Sequence, residues 1–265
     1  QGEYYLTDLV RISNDHDVPV IGCRVKEPIE VEGVNDKKQL ARLERMLQKQ
    51  LADRLLVQGA TLADPARVDI RGEVNIGQDC FIDINAVFEG NNTLGNNVQI
   101  GPNCVIENSV IGDNTIIKAN SVLENAILGE NCDVGPFARL RPGTELANGA
   151  KIGNFVETKN IKMGAGSKAN HLTYLGDSEI GTDVNIGAGT ITCNYDGANK
   201  HKTKIGDGAF IGSNSSLVAP VEIGKGATIG AGSTISKDAK EQTLTVTRAK
   251  QVSIDGWKRP EKKPK

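Results

Sequence analysis

The chain has 265 residues, a formal net charge of −2 and an aromatic content of only 4%, whereas 30 residues are glycine. The length allows one or two domains, and the balanced charge argues against a nucleic-acid-binding protein. No apolar run reaches the roughly 18 residues of a membrane-spanning helix, so no membrane partner is expected. Few aromatic residues and many glycines favour a thin, stacked fold over a wide globular core.

The chain contains five cysteines. An odd number in a long chain argues against a disulfide framework and predicts a reducing compartment, so we expect a cytoplasmic protein. Cys80, Cys104 and Cys132 each occupy the small-residue position of a six-residue repeat described below. They are therefore predicted to be small buried apolar residues.

Residues 1–36 carry no repeat, and Val18-Pro-Val-Ile-Gly-Cys-Arg-Val25 predicts a strand. The segment is too short to build a domain core of its own. It is therefore interpreted as the remnant of a domain whose main body is absent, and the chain as an engineered or proteolytic fragment.

Residues 37–57 predict one helix, because leucines recur at spacings of three and four and form a single apolar stripe. Asp36 and Gln39 resemble a capping box at its start, and Gly59 is a plausible end. The helix is either a linker arm on a neighbouring surface or a coiled-coil partner. The first is favoured because fewer than four heptads fit.

From Ile76 to Ala239 the chain repeats a unit made of an aliphatic residue, often glycine, two polar residues, a small residue and a free position. Examples are Ile205-Gly-Asp-Gly-Ala-Phe210 and Ile229-Gly-Ala-Gly-Ser-Thr234. Each unit predicts a short strand and a turn, and three units predict one triangular coil whose first and fifth positions face inward. Some steps are one residue shorter than the six-residue unit, which indicates tightened corners. Stacked coils would pair as parallel strands about 4.8 Å apart.

Two segments depart from the repeat. Residues 192–204 are polar and contain Asp196-Gly197, so they are predicted to leave the solenoid as a loop, where function is often found. Residues 240–265 form a basic tail with the sole tryptophan, Trp257. This tail is either solvated or closes over an anionic ligand or a neighbouring subunit. The predicted domains are thus residues 1–36, a linker helix at 37–58, a β-helix at 59–239 and the tail.

The length of the repeat also predicts which side chains lie above one another on successive coils. Arg141 and Lys159 are separated by three complete six-residue units with no slip between them, so they are predicted to lie at one position on successive coils. Two stacked cations repel unless an anion lies between them, and a phosphate suits Arg and Lys together. The alternative is a pair of solvated surface charges.

His171 lies one coil later, in a unit that has lost the usual spacing. A histidine beside an anion site can act as a general base near neutral pH, although a lone histidine is more often a surface or core residue. Glu157 is close enough along the coils to orient the ring. His16 lies outside the repeat and His201 in the loop, so a zinc site built from all three is disfavoured.

Several blocks resemble the C-terminal half of the bacterial family of bifunctional N-acetylglucosamine-1-phosphate uridyltransferase / glucosamine-1-phosphate acetyltransferases, which are left-handed parallel β-helix proteins. The blocks are Arg139-Leu-Arg-Pro-Gly143, Gly153-Asn-Phe-Val-Glu-Thr-Lys159, His171-Leu-Thr-Tyr-Leu-Gly-Asp177 and Asn185-Ile-Gly-Ala-Gly-Thr-Ile-Thr-Cys-Asn-Tyr-Asp-Gly-Ala-Asn-Lys200. The likeness covers nearly the whole chain. The left hand of the coil comes from the resemblance, since general rules favour right-handed parallel crossovers.

The resemblance implies a mainly β, trimeric fold with active sites between subunits. It also implies acetyl transfer from acetyl-CoA to the amine of glucosamine-1-phosphate, in the synthesis of UDP-N-acetylglucosamine for peptidoglycan and lipopolysaccharide. His171 would be the general base. The glucosamine-1-phosphate site would comprise Arg141, Lys159, Tyr174 and Asn185. The acetyl-CoA site would comprise Ala188, Asn194, Tyr195, Ser213, Ala231 and Arg248, with Lys200 nearby.

Only residues 1–36 resemble the uridyltransferase half, in which Asn35 matches a metal-binding asparagine. The glycine-rich nucleotide loop and the metal-binding aspartate of that half are missing, so Mg²⁺ and uridylyl transfer are not expected of this chain. Three other functions remain open: another small-molecule acetyltransferase, a structural β-helix and a nucleotide-binding module. Irregular charged breaks and the lack of threonine ladders argue against the structural β-helix.

Overall fold

The structure is a computed structural model that describes residue 2 and residues 5–260. The chain divides into two compact units, Gln1–Leu47 and Gln48–Lys265. In the first unit, α1 (Asp8–Asp15) and a 3₁₀ turn (Pro28–Val31) precede α2 (Lys37–Val57), which continues into the second unit. Neither helix within the described residues is long and apolar enough to cross a membrane.

The predicted strand at residues 18–25 is wrong, because that segment has no regular secondary structure. A strand needs a neighbour for its backbone hydrogen bonds, and the described part of the first unit contains none. The predicted helix start is confirmed. The Gln39 backbone N–H donates to Asp36 Oδ1 at 2.7 Å, and Gln39 Oε1 accepts from the Asn35 N–H at 2.7 Å.

The second unit is a solenoid of short strands. In chain order these are β1 (Thr61–Leu62), β2 (Val68–Ile76), β3 (Phe81–Ile82), β4 (Ala86–Leu94), β5 (Gln99–Ile100), β6 (Val105–Glu107), β7 (Val110–Ile111), β8 (Ile116–Ile117), β9 (Val122–Glu124), β10 (Ile127–Leu128), β11 (Asp133–Val134), β12 (Arg139–Leu140), β13 (Thr144–Leu146), β14 (Lys151–Met163), β15 (Lys168–Ile180), β16 (Asn185–Ile186), β17 (Ile191–Cys193), β18 (Thr203–Ile205), β19 (Phe210–Ile211), β20 (Ser216–Val218), β21 (Val221–Ile223), β22 (Thr228–Ile229), β23 (Thr234–Ile235) and β24 (Leu244–Thr245). A second 3₁₀ turn spans Pro65–Arg67.

Each strand pairs in parallel with the strand one coil away. Phe81 is in register with Gln99, and Gln99 is in register with Ile116 on the following coil. The second coil is one residue shorter than the first, which is the predicted tightening of a corner. The parallel β-helix that the hexapeptide repeat predicts is therefore confirmed, and its register carries side chains from coil to coil in straight columns.

The first position of each unit forms the core. Ile82, Ile100, Ile117 and Val134 stack on successive coils and are fully buried. The solenoid begins before Ile76, with β1 against β3, and continues past residue 239, with β24 against β22. The periodic pattern decays at both ends because the terminal coils have a neighbour on one side only.

The fifth position of each unit is small because it also faces inward. Cys80, Cys104 and Cys132 are buried free thiols, as predicted. Burial raises the pKa of all three thiols, since an apolar surrounding disfavours the thiolate.

One corner of the solenoid changes in residue type along its length. Asn85, Asn103 and Asn120 occupy it with left-handed backbone, and their side chains form a hydrogen-bonded ladder at 2.8 and 3.2 Å. Further along, Phe137 and Phe155 take this position, also with positive φ, and their rings stack with centroids 5.3 Å apart. Left-handed backbone costs bulky residues of order 1–3 kcal/mol each.

The N-terminal end of the solenoid is covered by the side chain of Gln48 on α2. Its Nε2 donates to the Ile70 carbonyl at 2.8 Å, and its Oε1 accepts from the Ile70 N–H at 2.7 Å. The buried amide thus satisfies both backbone groups of one residue on the first coils, as a neighbouring strand would.

Candidate active site

His171 lies on an edge of the solenoid, where β14 and β15 run side by side around two corners. It is in register with Asn154 on the preceding coil. The His171 Nδ1 and Asn154 Oδ1 atoms are 2.7 Å apart, which is hydrogen-bond distance. The histidine is exposed, so one ring nitrogen is held by the protein while the ring remains accessible.

Four of the six predicted acetyl-CoA residues lie on this edge, on the coils after His171. The Gly189 N–H donates to the Leu172 carbonyl at 3.0 Å, which places Ala188 over His171. The Asn214 N–H donates to the Ala188 carbonyl at 2.8 Å, which places Ser213 next. The Gly232 N–H donates to the Ser213 carbonyl at 2.8 Å, so Ala231 follows.

Arg248 completes the row on the described part of the C-terminal tail. Its side chain lies against Gly230 and Gly232, within 3.9 Å of the positions that methyl groups on these glycines would occupy. We define the active-site edge as His171, Ala188, Ser213, Ala231 and Arg248.

The active-site edge also presents backbone donors. The N–H groups of Ala188, Ser213 and Ala231 have no hydrogen-bond partner within the described residues. On another edge, the equivalent N–H groups of Gln78 and Glu130 are capped by the Asn96 and Asn148 side chains of the next coil. Small residues at these positions of the active-site edge leave the corresponding N–H groups accessible.

A cluster of cations lies on the neighbouring edge. Arg139 is in register with Glu157 and Leu140 with Thr158, so Arg141 stacks on Lys159 as their spacing in the sequence predicts. Lys200, from the inserted loop, also lies beside Lys159. The pKa of Lys159 is lowered, first by Lys200 and then by Arg141, because neighbouring positive charges disfavour a third.

Glu157 does not orient His171, contrary to the sequence-based suggestion. Its carboxylate accepts a hydrogen bond from Arg141 Nη1 at 2.8 Å. The register explains the difference, because Glu157 lies opposite Tyr174 whereas Asn154 lies opposite His171. The coil between these two strands is one residue shorter than three complete units.

Polar side chains surround the cation cluster. Asp177 accepts hydrogen bonds from Asn160 at 2.6 Å and from Asn194 at 2.5 Å, and its charge partly offsets the cations by raising the pKa of Lys159. A methyl group on Gly176 would lie 2.5 Å from the Tyr174 hydroxyl oxygen and 2.8 Å from Asn194 Nδ2. Glycine at this position therefore lets Tyr174 and Asn194 meet beside Lys159.

In the structure, the residues predicted for the glucosamine-1-phosphate site do not all lie together, and neither do those predicted for the acetyl-CoA site. Arg141, Lys159 and Tyr174 belong to the cation cluster or the face beside it, and so does Asn194 from the acetyl-CoA set. Asn185 lies on the face across the active-site edge, in register with Lys168 and Phe210. His171 and Gly176 lie on the same strand, β15, separated by a span of about 16 Å at most.

The inserted loop is shorter than the predicted range of 192–204, since β17 ends at Cys193 and β18 begins at Thr203. Its centre is Asp196, whose Oδ1 accepts from the N–H groups of Ala198 and Asn199 at 2.8 and 2.6 Å. The Asp196 Oδ2 atom lies 2.7 Å from His201 Nε2. Tyr195 is exposed and its hydroxyl donates to the Gly197 carbonyl at 2.6 Å.

The described residues do not fit the implied Mg²⁺ site. No group of three His, Cys, Asp or Glu side chains among them is arranged to hold a metal ion. Asn35 is exposed, and its N–H donates to Gln39 Oε1 at the start of α2. One amide oxygen is too few for Mg²⁺, which needs several oxygen ligands.

Sequence reasoning missed Asn154, Asp177 and Asn160 as members of the site. The spacing of the repeat could have identified these three residues. Asn154 is one coil before His171, and Asn160 is one coil before Asp177, once the shortened step between Thr158 and Met163 is counted.

Comparison with known proteins gives matches to two family models. The model described as the GMPPB C-terminal domain matches residues 70–168, and the one described as bacterial transferase hexapeptide (six repeats) matches residues 202–237. The UDP-N-acetylglucosamine acyltransferase of Francisella novicida superposes with a TM-score of 0.41 at 18% identity, over 70% of this chain and 66% of that chain.

Sequence relatives extend over almost the whole chain. The bifunctional protein GlmU of Marinobacter nauticus is 60% identical over 262 residues, which are 99% of this chain and 58% of that protein. GlmU of Saccharophagus degradans is 62% identical over 263 residues, with 99% and 58% covered. The chain thus spans less than two thirds of the length of these curated relatives. With such identity along nearly its entire length, the chain belongs to the GlmU family.

Proposed function

We propose that this chain is an acetyl-CoA-dependent N-acetyltransferase that acylates glucosamine-1-phosphate. One observation carries the proposal. An accessible histidine lies at one side of a solenoid face, and a cluster of three cations lies at the other side of the same face. Glucosamine-1-phosphate carries its amine on C2 and its phosphate on the adjacent C1. It therefore needs a base and an anion site close to one another.

Arg141, Lys159 and Lys200 would bind the phosphate. Arg offers a planar fork of donors and the two lysines add point charges, and charge-assisted hydrogen bonds of this kind contribute about 1.5–3 kcal/mol each. Their long side chains can extend along the face toward Tyr174, which lies between them and His171. Asn185, across the edge, would contact the sugar from the other side.

The chemical step is direct transfer. The neutral sugar amine attacks the acetyl thioester carbonyl, a C–N bond forms and the C–S bond breaks. His171 takes the amine proton and returns a proton to the coenzyme A thiolate that leaves. The Ala188 N–H, one coil above His171, is a suitable donor for the developing oxyanion.

Acetyl-CoA would lie along the active-site edge. The accessible N–H groups of Ala188, Ser213 and Ala231 can donate to the amide carbonyls of its pantetheine arm. The Arg248 guanidinium can pair with its phosphates. Asn194 and Tyr195 complete the predicted set but lie at the base of the loop, beside the cation cluster.

We further propose that the chain acts as a trimer with sites between subunits. Phe137, Phe155 and Leu172 support this, since they form an exposed apolar column immediately beside Asn154 and His171, with 48%, 55% and 63% of their surface accessible. A column of exposed apolar side chains next to the active-site edge is suited to a second copy of the chain. Mass measurement in solution tests this assembly.

The acetylation product would feed UDP-N-acetylglucosamine synthesis in the cytoplasm. Uridylyl transfer, the other reaction implied by the family resemblance, is not proposed for this chain.

The deciding experiment measures coenzyme A release with glucosamine-1-phosphate, glucosamine and serine as acceptors. Transfer to glucosamine-1-phosphate should exceed transfer to the other amines. In His171→Ala the turnover should fall by roughly 10²-fold or more, as loss of a general base does, while the oligomeric mass is unchanged. Near-normal turnover in this variant, or preference for an unphosphorylated amine, would contradict the proposal.

A further inference from the structure

The contact between His171 and Asn154 determines which ring nitrogen can act as the base. In a neutral imidazole one nitrogen carries a proton and the other is an acceptor. Asn154 Oδ1, 2.7 Å from Nδ1, can only accept, so this hydrogen bond requires the proton on Nδ1. The lone pair is then on Nε2, on the side of the ring away from the Asn154 coil.

We propose that Asn154 is a positioning residue that holds His171 in the Nδ1–H tautomer, so that Nε2 is the atom that accepts the proton from the acceptor amine. This inference rests on the proposed acetyl transfer. It adds to that reaction a residue and an atom that the predicted site does not contain.

The strand register, and not the side-chain rotamers alone, brings Asn154 and His171 together. Asn154 and His171 are partners in the longest strand pair of the solenoid, where ten residue pairs between β14 and β15 are in register. Both side chains therefore leave the same edge one strand spacing apart, about 4.8 Å. Ala188, on the coil above, has a side chain too short to compete for the ring.

The choice of an amide over a carboxylate has a chemical consequence. A carboxylate at position 154 would stabilise the imidazolium and would delay return of the proton to the thiolate. The neutral amide selects the tautomer without adding a charge. When Nε2 takes up a proton, the Nδ1–H bond to Asn154 is kept, so no rearrangement accompanies the step.

The test is nitrogen NMR on the full chain with labelled histidine. Only three histidines are present, and His171→Gln assigns the signals of interest. In the unaltered protein at a pH where the ring is neutral, Nδ1 should be protonated and Nε2 should not. Asn154→Asp keeps the acceptor and should keep this tautomer, whereas Asn154→Ala should shift the ring toward Nε2–H.

Kinetics give the second readout. Asn154→Ala should lower kcat by about tenfold or more, within the contribution expected of a general base, and leave the KM of both substrates within twofold. Asn75→Ala, an exposed asparagine on the first coils, is the control and should leave kcat unchanged. Melting followed by circular dichroism confirms that each variant is folded.

Two results would overturn the proposal: Nε2–H in the unaltered protein, or a fall in kcat of Asn154→Ala without a change of tautomer. Absence of acetyl transfer by the unaltered protein would instead refute the proposed function. The NMR measurement on the tautomer does not depend on activity, so the two failures can be told apart.

Discussion

The lowered pKa of Lys159 indicates what the residues around it bind. Its pKa is lowered, first by Lys200 and then by Arg141, so the folded state binds this proton less tightly than the unfolded chain does. The destabilising effect is fully present below the folded pKa and is relieved as the pH rises toward the ordinary value of 10.5. A cluster that costs stability is consistent with a function that needs an anion there.

Lys200→Gln should therefore have opposite effects on stability and binding. Without added anions, Tm should stay the same or rise, because the strongest repulsion on Lys159 is removed. The increase in Tm caused by inorganic phosphate should become smaller. Thermal unfolding with and without phosphate measures both. Lys237→Gln, an exposed lysine elsewhere on the solenoid, is the control, and an unaltered phosphate effect in Lys200→Gln would speak against the cluster as an anion site.

At the scale of elements, the inserted loop depends on Asp196. A backbone hydrogen bond from Asn199, followed by the contact with His201, holds the pKa of Asp196 far below its ordinary 3.8. The stabilising effect of the carboxylate is thus present above the ordinary value and is lost only as the pH falls through the depressed one. Near neutral pH the loop keeps Lys200 at the cation cluster.

Asp196→Ala should release this loop while the solenoid stays intact. Amide hydrogen exchange should accelerate in peptides covering residues 195–201 and remain slow in β17 and β18. Phosphate binding should weaken as well, since Lys200 is no longer held. Asp255→Ala in the exposed tail is the matched control. Unchanged exchange in the loop of the Asp196 variant would show that other contacts hold it.

At the scale of the whole molecule, stability is a sum over coils, because each coil contacts only its neighbours. Ile116 and Ile117 are adjacent on β8, yet Ile117 is fully buried and Ile116 points outward. The same substitution at the two positions therefore separates core packing from strand propensity.

Ile117→Ala should reduce the free energy of unfolding by about 2–5 kcal/mol, as for other large-to-small core changes. Ile116→Ala should cost about 1 kcal/mol or less, in line with strand propensity. Denaturant unfolding measures both. Similar losses at the two positions would mean that Ile117 does not face the core in solution.

Outside the repeat, strands are harder to predict than the helix at residues 37–57. The pattern at residues 18–25 suggested a strand, but strand propensity without a pairing partner does not make one. Leu244 and Thr245 lie beyond the visible repeat, yet they pair with β22 because an open solenoid end offers free backbone groups. The end of the solenoid therefore depends on a neighbouring coil rather than on local sequence.

The sequence by itself determined the parallel β-helix, its buried columns and the stacking of Arg141 on Lys159, because a regular repeat converts sequence spacing directly into position. Only the tertiary structure decided that the Asn154 side chain bonds the His171 ring while Glu157 bonds Arg141, since the spacing places residues opposite one another but does not set their side-chain partners. It also decided that Lys200 joins the cations and that Asn185 lies across the edge. The position of Lys200 depends on how the inserted loop folds, because the repeat spacing does not extend into that loop.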